Sequence, residues 1–429
     1  MAIKTKRFLS SRKSCSCSMP GVWRAVAYTD GVVTIFHSPR ACAHVARTMD
    51  INAQYRTLSE GRVENRASVP LLCSQMEEKD SIFGGVERLE KCVRYALEKY
   101  QPECLVIANS CVAGVIGDDV DAVAREAEAE YNLPVLTVDC CGFLDGEYYQ
   151  GYFEITKQLV ERFIKPCAKE PATALLIGDN GGPWGHYAME VTRLLQGMGV
   201  RVIGQFPGYV PFKELPKLAA AEIGIILGGR GQTHGGLKEL TQEMGRKFNM
   251  KFMLDVYPVG WQQTHEWLLA MGELLGRREQ AEEVWREELQ QMHEELKKML
   301  PVTRGKKTVL CIGRVVKFFH PGAILETIKM LELDLTGVIV LDSYMGKERE
   351  EMVKLVQECC DYPIYDIHDG EKLLEEAELV LTTHELQVKD GKQIFLPMLP
   401  LVAKEGELKM MHGIYHALCS HLKGGMLYV

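Results

Sequence analysis

Short apolar runs alternate with stretches of helical period along almost the whole of this 429-residue chain, and that alternation leaves few folds open. Val32-Val33-Thr34-Ile35-Phe36, Leu105-Val106-Ile107-Ala108 and Ala174-Leu175-Leu176-Ile177 read as strands. Between two of them, Val86, Leu89, Val93, Ala96, Leu97 and Tyr100 recur at helical spacing. Strands that alternate with helices build α/β layers around a parallel sheet.

A chain of this length exceeds one ordinary core, because domains hold ~150 residues each. Three blocks are expected, with boundaries at 1–168, 169–300 and 301–429. Each is read as a Rossmann-like α/β domain with a mostly parallel sheet flanked by helices. The second block opens with a strand that runs into Gly178-Asp179-Asn180-Gly181-Gly182, and it holds further strands near Val200 to Gln205, Ile223 to Leu227 and Phe252 to Asp255. A charged amphipathic segment from Thr264 to Leu300 predicts one or two helices. In the third block, strands are expected at Lys307 to Gly313, Gly337 to Leu341 and Leu379 to Thr382, with a helical tail around His412 to His421.

The 50 basic and 58 acidic residues leave a net charge of −8, with Lys and Arg dispersed along the chain. A nucleic-acid partner is not expected from that pattern. No run approaches the ~18 uninterrupted apolar residues of a membrane span. Met1 to Lys13 is basic but lacks the apolar core of a signal peptide, so the expected location is cytoplasmic. Fourteen cysteines in a reducing compartment are expected to be thiols, most of them buried and a few binding metal. Zinc-type C-x-x-C pairs are absent from the sequence.

Three of those cysteines stand apart. Cys42 follows the first strand after a Ser38-Pro39 break, and Cys111 follows the strand that ends at Ala108-Asn109-Ser110. Ligands of open α/β sheets bind beyond the carboxyl ends of strands, which is where both thiols fall. Cys17 precedes the first strand in Cys15-Ser16-Cys17-Ser18-Met19-Pro20-Gly21, a stretch that Pro and Gly mark as a loop. Taken singly, each fits a buried thiol. Cys15 is a spare ligand or a bystander, and the pairs Cys140/Cys141 and Cys359/Cys360 read as packing residues. His37 suits either fixing the turn before Cys42 or moving protons.

The motifs around these thiols resemble a known family. Gln75-Met76-Glu77-Glu78-Lys79-Asp80-Ser81-Ile82-Phe83-Gly84-Gly85 is similar to the segment before the first long helix in nitrogenase component 1 subunits. Cys111-Val112-Ala113-Gly114-Val115-Ile116-Gly117-Asp118-Asp119 resembles that family's Cys, Ile-Gly-Asp-Asp element. His37-Ser38-Pro39-Arg40-Ala41-Cys42 resembles its His-Gly-Pro-x-x-Cys turn, with Ser in place of Gly. The resemblance implies a nitrogenase-like reductase subunit in which Cys17, Cys42 and Cys111 are the metal ligands of an iron–sulfur cluster. That cluster would be shared at a subunit interface, either 4Fe-4S or a larger eight-iron cluster like the P-cluster. A four-iron cluster takes four ligands and three thiols per chain fall short, so the partner would be a paralogous subunit or a second copy of the chain.

The same resemblance implies an ATP-hydrolysing iron protein as electron donor and a small-molecule or tetrapyrrole substrate, with a second metallocluster possible in the assembly. The chain departs from a cofactor-holding subunit in its shorter length, in Met411-His412-Gly413-Ile414-Tyr415, which is only loosely similar to the cofactor-histidine segment, and in the loop of its second block. The loop after the strand Ile223 to Leu227 reads Gly228-Gly229-Arg230-Gly231-Gln232-Thr233-His234-Gly235-Gly236 and has no cysteine. Arg230 and His234 there are the candidate catalytic contacts to an anionic substrate, against the plain reading of a surface loop. His186 and His412 suit structural roles better than a pocket. Gly178 to Gly185 lacks both a full G-x-G-x-x-G and a P-loop lysine, so it reads as a turn and ATP is expected on another protein. The alternative function, implied by cofactor-assembly relatives in the same family, is a scaffold for maturing a nitrogenase-type metallocluster.

Overall fold

A computed structural model describes residues 17–59, 67–140, 148–179, 185–229, 235–253, 255–313, 319–341, 347–386, 388, 391–396, 401–421 and 426–428. The chain divides into two compact units: 1–185 with 202–226 and 234–252, and 186–201 with 227–233 and 253–429.

The first unit is built on two parallel sheets. One contains β1 (Val32–His37), β2 (Leu71–Cys73), β3 (Cys104–Ser110) and β4 (Val135–Cys140) in the order β2-β1-β3-β4. The other contains β5 (Glu170–Ile177), β6 (Arg201–Phe206), β7 (Ala221–Ile226) and β8 (Lys251–Phe252) in the order β6-β5-β7-β8. β1 and β3 are buried along their whole length, as strands covered by helices must be. Val33, Ile35, Leu105 and Ile107 pack there against Leu89, Val93 and Leu97 of the helix Val86–Tyr100, whose helical spacing matches the sequence reading.

In the second unit, β9 (Lys307–Ile312), β10 (Asp334–Val340), β11 (Ile364–Tyr365), β12 (Leu379–Thr382), β13 (Lys392–Phe395) and β14 (Met426–Tyr428) form one parallel sheet, ordered β11-β10-β9-β12-β13-β14. Mixed α/β architecture with parallel sheets flanked by helices is thus present throughout, as the alternating pattern predicts. The charged segment resolves into two helices, Trp261–Leu275 and Arg278–Thr303, separated at Gly276, whose φ of 66° ends the first in a left-handed cap. The second buries one carboxylate, Glu288, which Arg193 grips at 2.7 and 2.8 Å. Lys404 lies 3.6 Å from the same group, so the buried charge is paired.

Several elements depart from the sequence reading. Pro20 and Gly21 lie inside a helix, Met19–Val26, and not in a loop. Proline is tolerated in a helix's first turn because its missing N–H would have no intrahelical partner there. Gly21 is present for packing: a Cβ on it would come within 1.9 Å of the Tyr148 carbonyl oxygen, and one on Gly151 within 2.3 Å of the Ser18 oxygen. The helices Met19–Val26 and Tyr148–Arg162 therefore touch backbone to backbone at that point. In the tail, the helix Ala403–Cys419 begins well before His412, and β13 and β14 were not expected.

Candidate metal centre

The order β2-β1-β3-β4 makes the gap between β1 and β3 the place where the chain reverses its direction of travel across the sheet. Loops leave such a switch point to opposite sides and open a crevice beyond the strand ends. β1 and β3 end level, His37 opposite Asn109. Past β1, Cys42 enters the first turn of the helix Arg40–Ser59, its amide donating to the Pro39 carbonyl at 3.2 Å. Past β3, Cys111 opens the helix Cys111–Ile116, which Ser110 caps by accepting from the Ala113 amide at 3.3 Å. Cys17 comes to the same place from the start of the helix Met19–Val26. Cys42 and Cys111 thus lie in the first turns of their helices, and Cys17 lies just before the N-cap Ser18.

Cys17, Cys42 and Cys111 are each half-buried, and the structure brings them together. Burial pushes the Cys42 thiol up from its ordinary value, and the neighbouring thiols of Cys17, Cys111 and Cys73 add to the effect. Among the described residues, no three His, Cys, Asp or Glu side chains close on a single metal ion. A donor set of cysteine sulfurs alone is chemically suited to iron–sulfur ligation. Ser18 Oγ, next to Cys17, and Asn109 Oδ1, near Cys111, are buried without a hydrogen-bond partner among the described residues.

Cys73 is the residue that sequence reasoning missed. It ends β2, a strand of three residues, too short for a periodic signal. β2 pairs with the free edge of β1, Cys73 opposite Phe36, and this sets its thiol at the same end of the sheet.

A buried polar staple supports these loops. His37 Nδ1 is 2.9 Å from Ser74 Oγ, and His37 Nε2 is 2.9 Å from Asp118 Oδ2. The Gly85 amide donates to both Asp118 oxygens at 3.0 Å. Burial pulls the His37 pKa down, although the Asp118 carboxylate works in the opposite direction. A Cβ on Gly85 would lie 2.9 Å from Asp118 Oδ2 and 3.0 Å from the His37 ring. The three motifs that carried the resemblance therefore converge, and His37 holds the turn together. Asp118 faces inward to that staple. The helix Val120–Tyr131 is capped by Asp119 alone, which accepts from the Ala122 amide at 2.9 Å.

A second polar cluster fixes the helix that delivers Cys17. Arg24 pairs with Asp179, and Tyr209 donates to the same carboxylate at 2.9 Å. Arg24 also reaches the Tyr209 hydroxyl at 2.7 Å.

The remaining candidates separate clearly. Arg230, His234, Cys15 and Cys141 lie outside the described residues. Cys140 is buried, its thiol directed at the Val138 carbonyl. His186 meets the Val402 carbonyl at 3.1 Å, and His412 meets Glu295 at 3.1 Å. Both suit structural roles. Cys360 hydrogen-bonds back to the Val356 carbonyl of its own helical region.

The fold and the thiol-lined switch point define an α/β protein built like nitrogenase component 1. The solved structure of nitrogenase Cp1 at pH 6.5 shares the fold with a TM-score of 0.65, over 95% of this chain and 89% of its own, at 18% identity. Residues 17–414 match the family of nitrogenase component 1 type oxidoreductases, and the chain belongs to that family. Two kinds of relative are among those it matches. The nitrogenase molybdenum-iron protein alpha chain of Methanosarcina barkeri is 25% identical over 291 residues, 66% of this chain and 52% of the relative. The nitrogenase iron-molybdenum cofactor biosynthesis protein NifE of Clostridium pasteurianum is 28% identical over 290 residues, 66% of this chain and 59% of the relative. The match therefore spans little more than half the length of these two proteins. NifE of Methanosarcina barkeri is matched more widely, at 25% identity over 85% of this chain and 76% of the relative. Among the described residues, no helix is long and apolar enough to cross a membrane.

Proposed function

We propose that this chain is a subunit of a nitrogenase-like reductase, and that Cys17, Cys42 and Cys111 hold an iron–sulfur cluster at the β1/β3 switch point. The observation that carries this reading is the convergence of the three thiols from three separate loops. Such a cluster would supply one-electron transfer. The chain's own residues would set its environment: half-burial limits water, and the His37–Asp118 staple keeps the two strand-end loops from shifting.

The partner would be a paralogous subunit or a second copy, with an ATP-hydrolysing iron protein as donor of low-potential electrons. Support for a protein-facing surface comes from the exposed apolar side chains Ile82, Phe83 and Val115, at 77%, 85% and 73% exposure, on the helices Asp80–Phe83 and Cys111–Ile116. A cavity of about 700 Å³ with Pro39, Met76 and Val112 in its wall opens on the same unit. Arg230 and His234, which follow β7 in the chain, are the proposed contacts to a small-molecule substrate.

The relatedness to NifE favours a second reading, a scaffold on which a nitrogenase-type metallocluster is matured. Iron and acid-labile sulfide content, with molar mass in solution, on protein purified without oxygen test the shared premise. Bound iron and sulfide in an oligomer are expected, and an iron-free monomer from a cluster-competent host would refute both readings. Turnover then separates them. A reductase oxidises its iron protein catalytically when substrate is added, whereas a scaffold releases a cluster that activates another protein.

A further inference from the structure

In the second unit, two histidines one helical turn apart meet a carboxylate from the neighbouring helix. His412 and His416 stand at i and i+4 on the helix Ala403–Cys419, a spacing that sets both rings on one face, about 6 Å apart along the axis. Their ring centres are 6.3 Å apart. Glu295 of the helix Arg278–Thr303 reaches the same place, with its Oε2 3.1 Å from His412 Nε2. Its Oε1 accepts from Lys298 Nζ at 2.6 Å. Lys298 first, and His412 after it, hold the Glu295 carboxyl below its ordinary range, so this donor is an anion at neutral pH.

Two imidazoles and one carboxylate make up a known zinc donor set, in which three protein ligands leave one position open. A tetrahedral ion with bonds of about 2.1 Å holds its donor atoms about 3.3 Å apart. The His412–Glu295 contact, at 3.1 Å, already has that separation. Two imidazoles on such an ion have ring centres about 5 Å apart, so the His412 and His416 rings need to approach by about 1 Å. Among the described residues, three donors do not yet meet at one point. His416 is exposed, and rotation about its side-chain bonds supplies the approach. The backbone beneath it is held, because Lys392 donates to the carbonyls of Ala417, Leu418 and Ser420. Cys419, further along the helix, hydrogen-bonds Tyr415 and is left out of the set.

We propose that His412, His416 and Glu295 bind one divalent transition ion of the zinc class, which clips the helix Ala403–Cys419 to the helix Arg278–Thr303. The site uses none of the strand-end thiols and does not depend on the function proposed above. Both histidines bind as neutral imidazoles through Nε2, with the ring proton on Nδ1; an imidazolium gives its extra proton to solvent, and no oxidation state changes.

The test uses the full chain, stripped of metal by a chelator, both as wild type and as Cys42→Ala/Cys111→Ala, in which two of the competing thiols are gone. Each is titrated with zinc by calorimetry and with cobalt(II) in the visible region. About one zinc per chain is expected to remain in the double cysteine variant, with weak cobalt bands of nitrogen and oxygen ligation and no sulfur-to-metal charge transfer. His416→Ala is the decisive change, because an exposed side chain is removed without disturbing the core. It should weaken zinc binding at least about tenfold, as should Glu295→Gln. His293→Ala, an exposed histidine on the helix of Glu295 but outside the set, should bind zinc like its parent. Zinc should also raise the Tm of the parent and leave that of His416→Ala where it was. Equal zinc affinity in parent and His416→Ala, or a cobalt spectrum dominated by sulfur charge transfer in the double cysteine variant, would overturn the assignment and leave the iron–sulfur reading untouched.

Discussion

His37 Nε2 lies 2.9 Å from Asp118 Oδ2, with the two side chains 0% and 4% exposed. That contact joins the turn before Cys42 to the turn after the helix that Cys111 opens, across 81 residues of sequence. Asp118 also receives the Gly85 amide, so removing its carboxylate strands two buried donors at once. Hydrogen bonds to a buried charged group set the cost of Asp118→Ala at about 3 kcal/mol. Denaturant unfolding should show the loss as a lowered midpoint, with Asp118→Asn falling between variant and wild type. An unchanged midpoint in Asp118→Ala would remove the staple from the account of the site.

Iron retention should divide the cysteines. Cys42→Ala and Cys111→Ala are expected to lose most of the bound iron and to weaken assembly, while Cys359→Ala keeps both. Iron and sulfide assays with size-exclusion chromatography decide the matter. Full iron in both of the first two variants would displace the site from the β1/β3 switch point.

Gly21→Ala tests whether Cys17 depends on close helix packing. The added methyl would meet the Tyr148 carbonyl oxygen at 1.9 Å, a backbone atom that cannot swing aside. Overpacking of this kind costs about 2 kcal/mol and shifts the helix that positions Cys17. Thermal unfolding should show a lower Tm, and reconstituted protein should hold less iron than wild type. Normal iron content in a destabilised Gly21→Ala protein would show that Cys17 placement is independent of this crossing.

Glu407 makes stability depend on pH in the second unit. The side chain is buried, accepts from Thr327 Oγ1 at 2.8 Å, and burial raises its pKa to about 8. A carboxyl with a folded pKa above its unfolded value contributes fully below the unfolded pKa, about 4.3. That contribution is lost as pH rises toward 8, because the unfolded chain releases the proton first. Glu407→Gln should therefore be more stable than wild type at pH 8, by up to about 4 kcal/mol, and the difference should vanish near pH 4. Parallel melting curves for the two proteins between these limits would contradict the assignment.

Much of this protein was readable from local pattern. The alternation of apolar runs and helical spacing is set within a few residues, so strands such as Val32–His37 and Leu379–Thr382 and the helix Val86–Tyr100 are evident in the sequence. The same local breaks after β1 and β3 mark Cys42 and Cys111 as strand-end thiols. What the tertiary structure alone decided depends on strand order and on contacts far apart in sequence. Cys73 sits in a strand of three residues that has no period of its own and exists by pairing with β1. Asp118 and Asp119 look alike in sequence, yet one caps a helix and the other turns inward, because only the packed fold offers His37 and Gly85 as partners. Pro20 and Gly21 read as a loop until the neighbouring helix approaches so closely that glycine is the residue that fits.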